Sequence, residues 1–504
     1  MLSVTDPDPF PPAPHLFNMA AHVLTHAEWL ADKTALEIIG SAPETFTYRQ
    51  LASAIRGTAT GLLNHGLTPG DHLLLQLGNT PEFPITYLGA ITAGIIPVPV
   101  SSQLTQPEIT SIAATIKPAL TIRATGMAKG PGPVLPASKL REFWTLPAAE
   151  YAMGDPDRPA YVIYTSGTSG QPRAVVHAHR AIWARQMMWD GWYGLREADR
   201  MLHAGAFNWT YTLGTGLMDP WSVGATALIP HKDIPADQLP RLIADHSATI
   251  FAAAPGVYRR LLRADIPALP NLRHGLSAGE KLAEDYRSDW TTKTGTPIFE
   301  AFGMSECSTF ISGSPDNPAP PGTSGFPQPG RKVALIGPDG PVPRGTPGTI
   351  AVHKSDPGLM LGYLGAPSDT AARYQGDWFL TGDIGIMDES GAIAYAGRDD
   401  DMMNAGGYRV SPVEVEDVLT AHPHITEAAA CAVQAGTGTS IIAAFYVASN
   451  MIDEDELDRF MAARLAGYKR PRLYIAKDTL PRGANNKLLR RVLRTEWEAA
   501  HGQA

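Results

Sequence analysis

Tyr164-Thr165-Ser166-Gly167-Thr168-Ser169-Gly170-Gln171-Pro172-Arg173 follows the apolar run of residues 160–163 and carries only Ser, Thr, Gly, Gln and Pro between its ends. A buried strand that opens into such a segment becomes a polar loop with little steric restraint. Glycines let backbone N–H groups turn inward as an anion nest, the Ser and Thr hydroxyls add donors, and Arg173 supplies a planar fork of permanent charge. The residue types therefore suit phosphate. No Gly-Lys-Ser/Thr closes the string, so it is not the Walker-type loop. Taken alone, the same composition also describes a surface loop, and the choice between the two depends on the flanking chain.

Upstream, Leu51, Ile55, Leu62 and Leu63 give a helical face, and apolar runs at residues 72–77, 95–100 and 119–122 read as strands. Helical patterns cover residues 19–30, 84–93 and 106–116, and this alternation predicts parallel βαβ units. Downstream, residues 180–192 read as a helix whose Trp183, Trp189 and Trp192 serve packing. Strands follow at 200–203, 225–229, 249–252 and 273–277, with helices at 236–245 and 256–264. From residue 315 the chain turns rich in Pro and Gly, with short strands at 332–336 and 349–353, which predicts a β-rich subdomain over 315–397. Residues 400–504 read as a last unit with helices at 412–421 and 453–465 and strands near 428–433 and 440–447. The expected fold class is α/β: a large N-terminal domain, 1–399, of βαβ-type sheets plus the β-rich subdomain, followed by a small α+β C-terminal domain, 400–504.

A chain of 504 residues exceeds one ordinary core, and 44% apolar with 18% charged residues is the composition of a globular protein. The formal charge of −9 argues against a nucleic-acid partner. That charge is uneven: residues 467–494 carry +8 and the remainder −17, so the tail is either a solvated basic face or a patch for a polyanionic small molecule. Cys307 and Cys431 are too few for a disulfide framework or, by themselves, a metal site, which points to a reducing cytoplasmic setting. Residues 1–17 lack a secretory pattern. Pro97 and Pro99 break the longest apolar candidate, residues 87–100, so no membrane span is expected.

Several further strings need a joint explanation. Phe302-Gly303-Met304-Ser305-Glu306 follows an expected strand at 297–300 and sets a carboxylate near a strand end, where open α/β sheets bind ligands. Thr381-Gly382-Asp383 is expected in a turn after Trp378-Phe379. Gly397-Arg398-Asp399-Asp400-Asp401 opens the last unit, Gly406-Gly407-Tyr408-Arg409 follows, and Lys487 lies in the polar string Pro481-Arg482-Gly483-Ala484-Asn485-Asn486-Lys487. Singly, Glu306 reads equally as a helix cap, Asp383 as a turn residue, Arg398 as half of a surface ion pair and Lys487 as a solvated lysine.

Together and in this order, these strings resemble the superfamily of adenylate-forming enzymes: acyl-CoA synthetases, adenylation domains of peptide synthetases, and luciferases. The resemblance runs over nearly the whole chain. Residues 18–24, 32–34 and Ser277-Ala278-Gly279-Glu280 are most similar to bacterial acid–CoA ligases of the benzoate-CoA ligase kind. It implies an AMP-forming acid–CoA ligase that uses ATP, Mg²⁺ and CoA: carboxylate and ATP give acyl-AMP and pyrophosphate, and a thiol then displaces AMP. By the same resemblance, Thr165, Ser166, Gly167, Thr168, Ser169, Gly170 and Arg173 hold the β and γ phosphates, and Glu306 with Thr165 serves the metal. Ser277, Ala278, Gly279, Glu280 and Ala301, Phe302, Gly303, Met304, Ser305 flank the nucleotide. Asp383 takes the ribose hydroxyls, with Arg398 beside the ribose or phosphate. Lys487 bridges carboxylate and α-phosphate from a mobile C-terminal domain, Asp400 is the hinge, and Gly406, Gly407 and Arg409 line the CoA channel. Arg173-Ala174 stands where the family usually has Lys-Gly, which keeps the charge and alters its geometry.

The resemblance also implies an acyl pocket from Phe207, Asn208, Trp209, Tyr211 and Thr309, with Thr210, Trp221, Cys307 and Ser308 nearby. Amino-acid-activating relatives have an Asp where Asn208 stands, so a free α-amino acid is disfavoured and an aryl or short to medium acyl carboxylate is expected. Two other functions stay open: a stand-alone adenylating enzyme that loads a carrier protein, and a non-catalytic ATP-binding protein of the same fold. A homodimer is among the assemblies the resemblance allows.

Overall fold

A computed structural model describes residues 1–40, 42–165, 173–231, 234–398, 401–405, 408–435, 439–465, 467–483 and 488–501. The chain resolves into two compact units, one of Thr5–Lys332 with Val352–Phe379, the other of Met1–Val4, Val333–Ala351 and Leu380–Ala504.

The larger unit is built on a nine-stranded sheet. Its centre is parallel: Thr34–Ile39, Thr226–Pro230, Arg200–His203, Ile250–Ala253, His274–Ala278 and Ile298–Met304 lie side by side in that order. Alternation along these strands explains why both faces are covered. Met201, Ile250, Ala252 and Leu276 face the layer containing Trp192, while Leu202, Phe251 and Ala253 face Tyr258 and Trp290. A sheet buried on both faces favours such runs. Antiparallel strands close each edge: Glu44–Thr47 at one, Ser308–Ser312 and Phe326–Pro327 at the other.

A second, four-stranded parallel sheet takes Ile96–Pro99, His72–Gln76, Leu120–Arg123 and Val134–Pro136 in that order. The expected βαβ alternation is therefore present, with Glu82–Thr92 and Gln106–Ile116 as its helices. Helix Tyr48–Asn64 starts on a reciprocal Thr47–Gln50 capping box and buries Leu51, Ile55 and Leu62. Leu63, expected on that face, is 40% exposed. Gly61 lets the helix pass close to Phe143, since a Cβ there would lie 2.2 Å from the ring.

Three expectations are corrected. The helix over 19–30 shrinks to Met19–Val23: the Asn18 side chain caps its start at Ala20 and Ala21, and a run of turns follows its end at Leu24. The helix over 180–192 is two pieces, Ala181–Ala184 and a wide π-type turn Trp189–Tyr193 that ends at Gly194 with φ 56°. Its packing role holds for Trp192, which is fully buried and donates to the Phe299 carbonyl at 3.0 Å. Thr381, Gly382 and Asp383 are not a turn: they lie inside the ten-residue strand Trp378–Met387, paired with Ile393–Arg398.

The smaller unit ends in a three-stranded sheet of Ile425–Ala435, Thr439–Ala448 and Leu473–Ala476. Helices Pro412–Thr420 and Glu454–Ala462 bury Leu419, Leu457 and Met461 with Ala430 and Ile442, and helix Arg490–His501 buries Leu493 with Val433 and Phe445. No helix of the described residues is long and apolar enough to cross a membrane.

Candidate active site

In the larger unit, the polar loop springs from an antiparallel hairpin. Strands Pro159–Thr165 and Arg173–Ala178 pair down to Thr165 opposite Arg173, so backbone hydrogen bonding closes the base of the loop. Ser166, Gly167, Thr168, Ser169 and Gly170 lie outside the described residues, as does the side chain of Thr165. Arg173 is anchored beside them. Its guanidinium lies 4.8 Å over the Tyr363 ring and 3.1 Å from Asp369. Tyr363 in turn donates its O–H to Glu306 Oε1 at 2.7 Å. Burial and then the Glu306 charge push that phenol up to about 12, so it stays a donor. One chain of contacts thus runs from the base of the loop to the carboxylate.

Glu306 sits in a tight turn, residues 305–307, between Ile298–Met304 and Ser308–Ser312. The strand runs four residues further than the sequence suggests, through Met304. The turn is crowded: a Cβ on Gly303 would lie 2.3 Å from the Ser308 carbonyl oxygen, and Ser308 adopts φ 62°. A non-glycine residue in that region stores backbone strain, which persists only where the surroundings hold it. Here Arg185 Nη1 donates to Ser308 Oγ at 2.5 Å.

The two strings expected around the nucleotide come together. Ala278 and Ala301 are register partners at the ends of adjacent parallel strands, so Ser277, Ala278, Gly279 and Glu280 lie beside Phe302, Gly303, Met304 and Ser305. This is the carboxyl edge of a parallel sheet, where such folds take ligands. Gly279 has φ 98°, and a Cβ there would lie 2.7 Å from Trp209, so the indole closes over that turn. Ser277 Oγ is buried without a hydrogen-bond partner among the described residues.

A cleft of about 20 Å³ opens between Tyr87, Tyr161, His177, Arg185, Ser305 and Ser308, the last two bracketing Glu306; Thr210 also lines it. Phe207, Asn208, Trp209, Tyr211 and Thr309 do not line it. Phe207 packs against Phe83 at 5.6 Å, Asn208 is half-buried, Tyr211 donates to the Leu276 carbonyl, and Thr309 contacts Met188 Sδ at 3.1 Å. Trp221 is core, donating to the Ala35 carbonyl at 2.8 Å. Cys307 is enclosed by Arg331 and Asp356, with its thiol pushed well up by burial and by Asp356. A larger cleft of about 320 Å³ is lined by Asn79, Gly205, His231, Ile234, Val257 and Arg260.

Sequence reasoning missed the buried ion pair behind the smaller cleft. Arg185 Nε and Nη2 hold Asp219 at 2.5–3.1 Å, and Tyr193 donates to the same carboxylate at 2.7 Å. Burial opposes the guanidinium charge, but Asp219 outweighs it and holds the group above its ordinary value. The available signal was a charge inside each of two apolar segments, next to Met187 and Met188 and to Leu217 and Met218. Arg185→Met is expected to destabilise the protein by about 3–5 kcal/mol, since it strands a buried carboxylate, with most of that recovered in Arg185→Met/Asp219→Leu. Urea unfolding of the three proteins measures this, and a double variant no better than the single one would contradict it.

In the smaller unit, Asp383 and Arg398 are cross-strand partners, with Nη1 3.6 Å from Oδ1. Tyr395 also donates to Asp383 Oδ1 at 3.4 Å, and Asp383 is 7% exposed. Asp400, Gly406, Gly407 and Lys487 lie outside the described residues, as does the Arg409 side chain. Their flanks are held. Arg490 binds Glu416 through two nitrogens at 2.6 and 2.7 Å and reaches Asp401 at 3.3 Å, and a backbone bridge joins Arg482 to Leu488 across the Lys487 segment.

Residues 24–364 match the AMP-binding enzyme family, and residues 414–487 match the AMP-binding enzyme C-terminal domain. The chain belongs to the AMP-binding enzyme family. It is 31% identical to a benzoate–CoA ligase of Thauera aromatica, over 98% of this chain and 99% of the relative. Among solved structures, a benzoate CoA ligase from Burkholderia xenovorans LB400 superposes with a TM-score of 0.85 at 30% identity, over 95% of this chain and 100% of that one. ATP-bound MatB from Rhodopseudomonas palustris gives 0.88 at 25% identity, over 96% and 99%. These enzymes share the expected α/β architecture of a large N-terminal and a small C-terminal domain.

Proposed function

We propose that the residues above carry out both halves of an acid–thiol ligation. The chain is an AMP-forming acid–CoA ligase that takes an aryl or acyl carboxylate, ATP and CoA. In the first half, a carboxylate oxygen attacks the α-phosphorus and pyrophosphate leaves. In the second, the thiol sulfur attacks the acyl carbonyl and AMP leaves. A carboxylate is a weak nucleophile facing a polyanion, so catalysis is positioning plus neutralisation of charge.

The loop 166–172 and Arg173 would hold the outgoing phosphates, Asp383 the ribose hydroxyls, and Lys487 the α-phosphate and carboxylate. Glu306 fits Mg²⁺: one carboxylate oxygen accepts from Tyr363, its chemistry is hard oxygen, and Mg²⁺ is commonly held by one or two carboxylates plus substrate phosphates. When bound, the ion would neutralise phosphate charge. The larger cleft, with apolar Ile234 and Val257 and the exposed cation Arg260, suits a pantetheine arm.

Support for this reading rests chiefly on the contacts that tie Arg173 through Tyr363 to Glu306, because they fix a phosphate-binding cation and a metal-binding carboxylate relative to each other. The test is mass-spectrometric detection of acyl-CoA from the purified protein with MgATP, CoA and a pooled panel of aryl and aliphatic acids. Thioester formation is expected. Pyrophosphate release without thioester would favour a carrier-protein acceptor, and neither product would leave the non-catalytic reading.

A further inference from the structure

The turn that carries Glu306 is gripped from several distant segments. On its N-terminal side, His177 Nε2 donates to the Ser305 carbonyl oxygen at 2.7 Å, since that oxygen only accepts, and the Met360 N–H donates to the Glu306 carbonyl at 2.8 Å. On its C-terminal side, Arg185 Nη1 donates to Ser308 Oγ at 2.5 Å. Ser308 has φ 62°, a left-handed conformation that a Cβ disfavours. Such strain persists where the surroundings over-determine it, and it clusters at ligand sites and switches.

The surroundings of Arg185 aim it at Ser308. Its Nε and Nη2 hold the Asp219 carboxylate at 2.5–3.1 Å. A guanidinium is planar, so once those two nitrogens are fixed the direction of Nη1 is fixed with them. Asp219 is held in turn by the Tyr193 O–H at 2.7 Å, and Tyr193 Oη lies 2.9 Å from Thr215 Oγ1. Burial and then the Asp219 charge push that phenol well up, so it stays a donor. Tyr193 ends one wide π-type turn and Thr215 belongs to another, Gly214–Met218, a rare geometry that recurs at functional sites. Gly214 makes room for the fork: a Cβ there would lie 2.3 Å from Arg185 Nη2. A buried ion pair adds little stability over apolar side chains of similar volume, so stability alone gives no reason for this much accommodation. From the network, the contact to Ser308 leads directly to the turn of Glu306.

We propose that Arg185, aimed by Asp219, is a positioning residue for Glu306: it holds Ser308 in its left-handed conformation and thereby sets the turn whose carboxylate meets the metal of the nucleotide. This inference rests on the ligase reading and on the fit of Glu306 to Mg²⁺, and it adds the residues that place that carboxylate.

The test is calorimetric binding of α,β-methylene-ATP, which cannot release pyrophosphate, with Mg²⁺ and in its absence. Ser308→Ala keeps a Cβ in the strained region and removes the hydroxyl that Arg185 grips. It is expected to weaken binding of the Mg²⁺ complex by ~10-fold, as for loss of a partner behind a metal ligand, while metal-free affinity stays within about 2-fold of the parent. Ser308→Gly is expected to lose less than Ser308→Ala, because glycine adopts that region without strain. Arg185→Met/Asp219→Leu fills the site without the grip, so it is expected to match Ser308→Ala in binding although its stability is recovered. A merely structural role would lower both affinities together or neither. Parental affinity for the Mg²⁺ complex in Ser308→Ala or in the folded double variant overturns the proposal. So does equal loss with and without Mg²⁺, or a glycine variant weaker than the alanine one. Where the double variant does not fold, the two serine variants decide. A parent that binds the analogue and gains nothing from Mg²⁺ overturns this proposal and leaves the ligase reading in place. A parent that does not bind the analogue at all overturns the adenylation reading, and this proposal with it.

Discussion

Lys487→Ala is expected to lower acyl-AMP formation by on the order of 10² to 10³, while conversion of supplied acyl-AMP to thioester is expected to stay close to the parent rate. The separation follows from where charge gathers. In the first half-reaction, negative charge builds on the α-phosphate and the attacking carboxylate, and one ammonium placed between them would stabilise the transition state by about 2.7–4 kcal/mol. In the second, the carbonyl is attacked by sulfur and AMP departs, so the same ammonium is no longer required. The flanks of residue 487 suit such a role: the Arg482–Leu488 bridge closes the segment, and Arg490, three residues on, is locked to Glu416 and Asp401. Pyrophosphate release and thioester formation from synthetic acyl-AMP measure the two halves. Equal loss in both would sink the idea that the C-terminal domain serves them in turn.

Between pH 7.5 and pH 5.5 the larger unit is expected to lose several kcal/mol of stability. Five of its histidines, His22, His177, His179, His203 and His274, are held by burial at about 3 to 4. In the unfolded chain the same groups take up protons near pH 6.5. Below that value the unfolded state binds more protons than the native one, so stability is lost as pH falls from about 6.5 toward 4. Each histidine contributes roughly 1.4 kcal/mol per pH unit in that window, and five together rival the whole stability of an ordinary domain, about 5–15 kcal/mol. Glu300 works the other way. Burial, opposed by Arg287, holds it up at about 7, so it favours the native state as pH falls through 7, though one group offsets only about one histidine. The local geometry agrees with neutral rings: His179 Nδ1 accepts from the Met19 N–H at 3.0 Å, and both His203 nitrogens are buried without partners among the described residues. Urea midpoints at pH 7.5, 6.5 and 5.5 measure this effect. A flat profile would show that these rings are protonated in the native state.

Much of the fold was legible because it is written in local periodicity. Strand Arg200–His203 and helix Gln106–Ile116 fall where the local apolar pattern places them. The misjudged elements were those in which a neighbour overrides the local pattern. The first helix begins on the Asn18 cap, but at Leu24, with φ −101° and ψ 18°, the chain leaves helical geometry and passes into turns that apolar spacing alone does not foretell. Asp383 looks like a turn residue beside Gly382, whose φ is 78°, yet pairing with Arg398 carries it within a long strand.

The candidate site divides along the same line. Order and spacing of short motifs were enough for the family and the reaction, because those strings are contiguous and chemically distinctive, and the same order is what proposes roles for Arg173, Glu306, Asp383, Arg398 and Lys487. Tertiary structure alone decided which side chains line the cleft. Tyr87, His177, Arg185 and Ser305 come from four separate segments, and nothing local distinguishes a buried tyrosine whose hydroxyl is bonded from one left without a partner among the described residues. Partners set the charge, burial and direction of a polar group, and partners far apart in sequence meet only when the chain has folded.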